Sequence, residues 1–428
     1  MYIDTLVART IPDTRGRPTV EATLASGAHS VTASVPSGKS TGSHEAFELR
    51  DADGSVATAI ANVNGEIASA LVGRDFTSAD EIDKLLIELD GTTNKSRLGA
   101  NAILSVSIAA QRFFALAKGV PLWKAIAERA NDGKGFLESV PSAATPAPAF
   151  RHVRAERNAL EKSLPVASAP RLFLNFMNGG VHADFKLPFQ EYILVIEGKT
   201  SDAMMIAREA FAKLGERLGS VPMGDEGGYA PTFDTLEQPF ELLAELVKEF
   251  PHTSIAIDAA ASELFHDDAY QLLGKSYSAD ELSALYRELV ERFPIHSIED
   301  PFAEDAPDDF AKLTAELGKR ILIIGDDLTV TNPARIKDAA VRKEINAVLI
   351  KPNQIGTVRE AIQAVQATCA AGWQTIASHR SGETADTFIA DFAYGIGAYG
   401  IKAGGLGQKE RVEKYNRLLA IEQEVKTM

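Results

Sequence analysis

From about residue 171 onward the sequence alternates short apolar runs with amphipathic segments, and no other feature limits its possible folds as tightly. The runs are SIAID (254–258), IHSIED (295–300), ILIIGDD (321–327), AVLIK (347–351), QTIASH (374–379) and GAYGIK (397–402). Successive apolar residues, as in AVLI, read as a strand buried on both faces, the pattern of a parallel sheet covered by helices. The intervening helices announce their starts. Ser278–Glu281 and Thr357–Glu360 have capping-box spacing, and Asn332–Pro333 places an N-cap before a Pro at the first helical position. Such alternation over 171–428 predicts parallel βα units, either wound as an open sheet or closed as a TIM-type barrel. The length favours the barrel.

Each of these strands carries a polar or charged residue at its C-terminal end: Asp258, Glu299, Asp326, Lys351, His379 and Lys402. Their separations are 41, 27, 25, 28 and 23 residues, about one βα unit each after a longer first step. The C-terminal strand ends of a barrel converge on one mouth, where catalytic residues sit. One snorkelling lysine at a strand end needs no explanation. A whole set in consecutive units does, because charge at the edge of a core is costly unless it is paired or coordinated. Asp258, Glu299 and Asp326 are carboxylates on neighbouring strands that repel one another; a hard divalent cation relieves this, and oxygen-only ligands favour Mg²⁺. Ion pairs with Lys351 and Lys402 are the alternative for any one of them. A lysine beside a metal and another lysine has its ammonium form disfavoured, which suits it to act as a general base. Base plus metal fits proton abstraction next to a carboxylate.

The rest of the chain supports that core. Residues 1–130 read as strands (RPTVEATLA, HSVTASV) followed by helices near 55–73, 78–89 and 98–117, with Ser78 and Glu81 spaced as a capping box; this predicts an α+β capping domain. Residues 131–170 hold NDGKG, VPSAATPAPAF and the charged, helix-compatible RHVRAERNALEKS, and read as a linker with an insertion. The formal charge of −15 argues against a general nucleic-acid or anionic-membrane binder. No apolar run reaches the length of a membrane span on this reading, and the start MYIDTLVARTIPD has no signal-peptide pattern. Cys369 is the single cysteine. A cytoplasmic protein is expected.

The blocks DTRGRPTVE, VPSGKSTGSHEAFELRD, LGANAILSVSIA, FMNGGVHAD, QEYIL, GDEGGYAP, SIEDPF, GDDLTVTNP, LIKPNQIG, SHRSGETADTFIAD and IKAGG resemble those of the enolase (phosphopyruvate hydratase) family, in its order. That superfamily is the established precedent for a lysine base working beside Mg²⁺. The resemblance implies an enolase-like barrel with its N-terminal capping domain, two Mg²⁺ sites, 2-phosphoglycerate and phosphoenolpyruvate as substrate and product, and a homodimer or higher homo-oligomer. It implies that Asp258, Glu299 and Asp326 hold one Mg²⁺ and that Ser40 helps to hold a second. Lys351 would remove the C2 proton, with Lys402 neutralising the carboxylate. Glu226 would be the acid on the leaving hydroxyl, supported by Glu191, with Gln190 alongside. Arg380 and Ser381 would grip the phosphate, His182 would sit on a lid, and His379 would line the pocket. The lid sequence VHADF and the segment GGLGQKER depart from the family pattern, although Arg411 is kept.

Two rivals are weighed against this reading. A one-metal racemase or cycloisomerase of the same superfamily would have no use for the Ser40 loop, Arg380–Ser381 or the Glu191/Glu226 pair. An enolase-like paralogue with altered substrate, or a non-catalytic structural or binding protein, is the other. A scaffold has no reason to retain so many charges at strand ends.

Overall fold

A computed structural model describes residues 1–131 and 169–428. The insertion expected within 131–170 and its helix-compatible RHVRAERNALEKS piece lie outside the described residues.

The chain opens with a three-stranded antiparallel sheet, β1 (Thr5–Pro12), β2 (Pro18–Ser26) and β3 (His29–Ser34). Its alternating pattern buries Val20, Ala22 and Leu24 on one face. The helices Ala79–Asp90, Ala100–Lys118 and Leu122–Asn131 follow. The helix expected near 55–73 is interrupted: Ala57–Asn62 and Ala68–Leu71 flank a π turn at Val63–Ile67. That turn aims Asn64 at β1, where its side chain accepts from the Ala8 N–H (2.6 Å) and donates to the Ala8 carbonyl (3.1 Å). The irregularity thus satisfies the open edge of the sheet. Ala100–Lys118 is long and apolar enough to cross a membrane, contrary to the reading above, but 78% of its most apolar stretch is buried inside the fold. It is a core helix.

Eight strands close the barrel: β4 (Arg171–Asn178), β5 (Glu191–Ile196), β6 (Thr253–Asp258), β10 (Ile295–Glu299), β11 (Leu322–Gly325), β12 (Ala347–Ile350), β13 (Gln374–Ser378) and β14 (Gly400–Lys402). The long first spacing is explained by a three-stranded meander, β7 (Phe265–His266), β8 (Ala269–Leu272) and β9 (Lys275–Tyr277), inserted after β6. The barrel is not wholly parallel. β5 runs antiparallel to both neighbours, since the loop 179–190 has no crossover helix to return the chain. Inward side chains such as Phe173, Val195, Ile324, Leu349 and Ile376 fill the interior. At the floor the half-buried His296 lies between Ser254 Oγ (3.2 Å) and Tyr399 Oη (2.9 Å), and loss of solvent around the ring pushes its pKa down to about 4. Beside it Arg171 pairs with Glu197 (2.9 Å).

The caps predicted for the barrel helices form. Ser278 and Glu281 make a full reciprocal box, Thr357 accepts from the Glu360 N–H, and Asn332 accepts from Ala334 and Arg335. At Ser78 only half of the box is present, because the Glu81 carboxylate turns to Thr77 instead.

The N-terminal sheet and helices meet the mouth-side loops of the barrel. Ser37 and Gly382 exchange backbone hydrogen bonds, and Thr14 donates to the Glu383 carbonyl. Arg112 grips the buried Asp386 with both terminal nitrogens (2.6 and 2.7 Å), while Asp386 also accepts from the Ser34 N–H (3.0 Å). Truncation leaves a buried carboxylate without its cation. Arg112→Ala is therefore expected to cost about 2–3 kcal/mol, the scale of a charge-assisted bidentate contact. Urea denaturation followed by circular dichroism checks it; an unmoved midpoint contradicts the clamp.

Candidate active site

The strand-end rule places its residues as expected. Asp258, Glu299 and Lys402 are the last residues of β6, β10 and β14; Asp326, Lys351 and His379 directly follow β11, β12 and β13. All line one pocket except Glu299, which is buried beneath it and reached through Lys402. Glu191 arrives differently: it is the first residue of β5, and the reversed strand brings it beside Asp258 and Asn178. Glu226 comes from the GDEGG turn, where Gly227 has φ +75°.

Lys402 is the hub. Its ammonium donates to Glu299 (2.9 Å to each oxygen) and Asp258 (3.0 Å) and lies 3.0 Å from Glu191 Oε2. Burial opposes that charge, but the surrounding carboxylates outweigh burial and hold Lys402 well above the ordinary lysine range. Glu299 is pushed well above the carboxylate range by burial and by the charges of Asp258 and Asp326, which Lys402 only partly offsets. Lys351 pairs with Asp326, whose other oxygen accepts from Gln354 (2.8 Å). Here the expectation of a disfavoured ammonium is corrected. Burial does work against Lys351, but Asp326 overcomes it and raises the lysine above its usual value.

The opposite wall holds a carboxyl pair. Burial and the charge of Glu226 push Glu191 well above the normal range. Burial alone would raise Glu226 too, but the imidazoles of His182 and His379, a hydrogen bond from Glu191 and the Arg411 guanidinium hold it well below. The two carboxyls are thus pushed in opposite directions, which favours a proton on Glu191 over one on Glu226. His182 Nε2 lies 3.5 Å and His379 Nε2 3.9 Å from Glu226 Oε1, and Asn175 donates to Glu226 Oε2 (3.1 Å). His379 is held well below the ordinary histidine range by burial and by Arg411. Its Nδ1 faces Arg411 Nη1, which can only donate, so the neutral ring carries its proton on Nε2 and directs that N–H toward Glu226.

Arg380 differs from a free phosphate clamp. Its guanidinium is bidentate to Glu45 (2.8 and 3.0 Å) and also donates to the Ser40 carbonyl (3.1 Å) and Asn353 (3.3 Å). The terminal nitrogens are thus engaged, leaving Nε as the open donor. Gly38 permits this approach, since a Cβ there would lie 2.0 Å from Arg380 Nη2. Ser381 Oγ accepts from Arg15 (3.2 Å), and Ser40 Oγ donates to Glu263 (2.7 Å). Gln190 donates to Asp258 (3.3 Å) while its buried Oε1 has no protein partner.

Sequence reasoning missed several members of this site. Asp300 and Asp327 follow Glu299 and Asp326, and Asp300, Asp326 and Asp327 converge closely enough to hold a cation. Burial and neighbouring acids push both Asp300 and Asp327 well above the usual range. Their signal was present in the acidic doublets of SIED and GDD. Glu45 and Gln354 had no comparable local signal. Tested against this donor set, a divalent cation fits: the carboxylates outnumber the ammoniums, burial and mutual repulsion push Glu299, Asp300 and Asp327 well above the usual range, and the carboxylates offer only oxygen ligands.

Comparison with known proteins agrees with this geometry. Residues 3–126 match the family model "Enolase, N-terminal domain" and residues 162–428 match "Enolase, C-terminal TIM barrel domain". The chain is 40% identical to Enolase B of Dictyostelium discoideum, with 100% of this chain and 96% of that protein covered. It is 41% identical to an enolase of Anaplasma phagocytophilum (99% and 95% covered) and 40% identical to one of Methanopyrus kandleri (98% and 95% covered). With its barrel, its N-terminal sheet and its charged mouth, the chain belongs to the enolase family of hydro-lyases.

Proposed function

We propose that the chain catalyses the Mg²⁺-dependent, reversible dehydration of 2-phospho-D-glycerate to phosphoenolpyruvate, the step shared by glycolysis and gluconeogenesis. One observation carries the reading: a lysine and a buried carboxyl pair face each other across the mouth. In the closed order β10-β11-β12-β13-β14-β4-β5-β6, the strands that bring Lys351 and Glu191 are four apart, on opposite sides of the barrel. A base on one side and an acid on the other suit an elimination in which the C2 proton and the C3 hydroxyl leave from opposite faces.

Lys351 is the base that takes the C2 proton. Glu226 relays a proton from Glu191 to the departing hydroxide. His379 supports Glu226 with its Nε2–H, and His182 covers it from the loop 179–190. Arg380 Nε and Ser381 face the phosphate end, and Lys402 with Gln190 faces the substrate carboxylate. Asp258, Glu299 and Asp326 would hold one Mg²⁺, and Ser40 would contribute to a second. The ions supply electrostatic stabilisation to negative charge that builds on the substrate oxygens. The same reading gives a homo-oligomer in the cytoplasm, supported by the resemblance and by a sequence with a single cysteine.

A coupled assay with 2-phosphoglycerate tests it. EDTA is expected to abolish turnover and Mg²⁺ to restore it. Asp326→Ala should weaken Mg²⁺ binding in calorimetry as well as rate. Full turnover in metal-free buffer would sink the metal assignment.

A further inference from the structure

Lys39 precedes Ser40 in the loop that joins β3 to the N-terminal helices, and its ammonium reaches two other segments at once. It donates to the Val181 carbonyl (2.7 Å) and to Asp225 Oδ2 (2.8 Å). Val181 precedes His182, and Asp225 precedes Glu226. We propose that Lys39 is a positioning residue that ties the Ser40 loop to the His182 loop, so that the two close over the pocket as one unit.

The two ends of the tie differ in rigidity. The Asp225 side is a fixed post: its backbone carbonyl accepts from Arg411 (3.0 Å) and Gln408 (3.1 Å), both on the barrel. The Val181 side is held by its own turn hydrogen bonds and by one backbone bond to the post, from the Asp225 N–H to the His182 carbonyl (3.2 Å). Asp184 and Phe185 sit consecutively at φ +52° and +54°, a left-handed conformation unfavourable to a bulky residue, and Phe185 is 49% exposed rather than packed. An external hydrogen bond to Val181 offsets what this loop lacks in internal packing. On the other side, Gly38 lies against Arg380 and Ser40 Oγ bonds to Glu263, so Lys39 projects from a loop already set in register with the mouth. An exposed ion pair alone would be a weak argument. Here one ammonium satisfies a carbonyl and a carboxylate on two segments: the bond to Asp225 needs the Ser40 loop in place, and the bond to Val181 needs both loops over the mouth.

The inference rests on the proposed reading of the pocket, and the test separates the two. Lys39→Met keeps the aliphatic stem and removes the charge; Lys39→Arg keeps the charge. Hydrogen exchange of the ligand-free full chain, followed by mass spectrometry, is expected to speed up about tenfold in both 37–47 and 179–187 for Lys39→Met, with protection recovered in Lys39→Arg. With 2-phosphoglycerate, KM should rise about tenfold in Lys39→Met with a smaller change in kcat, because the closed, binding-competent state becomes less populated. Unchanged exchange in both loops, or faster exchange in 37–47 alone, overturns the tie. Absence of dehydratase activity in the parent protein would instead defeat the reading of the pocket, and the exchange measurement would still decide the role of Lys39.

Discussion

Lys351→Ala is expected to lose two activities together: dehydration of 2-phosphoglycerate and exchange of its C2 proton with deuterated solvent. The backbone around Lys351 is held independently of its side chain, since its N–H donates to Thr331 Oγ1 (2.9 Å) and β12 is buried on both faces. The variant should therefore keep its fold and lose only the amine. In the structure the ammonium owes its stability to Asp326, because burial and the charges of Arg380 and Lys402 all oppose it. Asp326 is also one of the carboxylates proposed to hold a cation. Drawing it away from the lysine leaves burial, Arg380 and Lys402 opposed by Glu299, which lowers the cost of the neutral amine. The raised pKa thus describes the paired state and does not disqualify the base. Removal of a positioned base costs roughly 10²–10⁴-fold. Proton NMR in deuterated buffer reads exchange directly, and a Lys351→Ala protein that exchanges C2 at the parent rate would reduce Lys351 to an ion-pair partner of Asp326.

The same lysine shows what the sequence makes legible. Its position at a strand end, and those of Asp258, Glu299, Asp326, His379 and Lys402, follow from periodicity, because parallel barrel strands deliver their C-terminal ends to one place. β4 and β5 were not legible in that way. The loop between them has only a single 3-10 turn (Gly180–Ala183) and no α-helix, so the change of period that marks a βα unit is absent, and β5 reverses. As a result Glu191 reaches the mouth from the start of a strand, where the strand-end rule would never look, and only the family resemblance named it. Pairings between distant segments were hidden for a different reason. Glu45 and Arg380 are 335 residues apart, and nothing local in SHEAF says that its carboxylate will occupy the arginine's terminal nitrogens. Residue types and strand ends can be read from a chain; the partner that sets a charge's protonation is fixed only by tertiary packing.

That distinction governs Glu226→Gln. The substitution is isosteric, and its amide oxygen can still accept from Asn175, which donates to Glu226 Oε2 at 3.1 Å. What it cannot do is carry a proton. Glu191 remains nearby, but in the parent structure burial and the charge of Glu226 are what push Glu191 upward, and the neutral amide removes the second cause. The variant loses the carboxyl facing the pocket and disturbs the proton held behind it. Dehydration is expected to fall about 10²–10⁴-fold. C2 exchange should persist, because Lys351 stands on the opposite side of the barrel and its Asp326 and Arg380 neighbours do not touch Glu226. The split follows if proton removal and hydroxide departure are separate events, each served by its own wall of the pocket. Exchange and dehydration measured on one sample, by NMR and by phosphoenolpyruvate absorbance, decide it. Parallel loss of both in a folded Glu226→Gln protein would mean that the two walls act in a single step, and the division of labour between Lys351 and Glu226 would have to be abandoned.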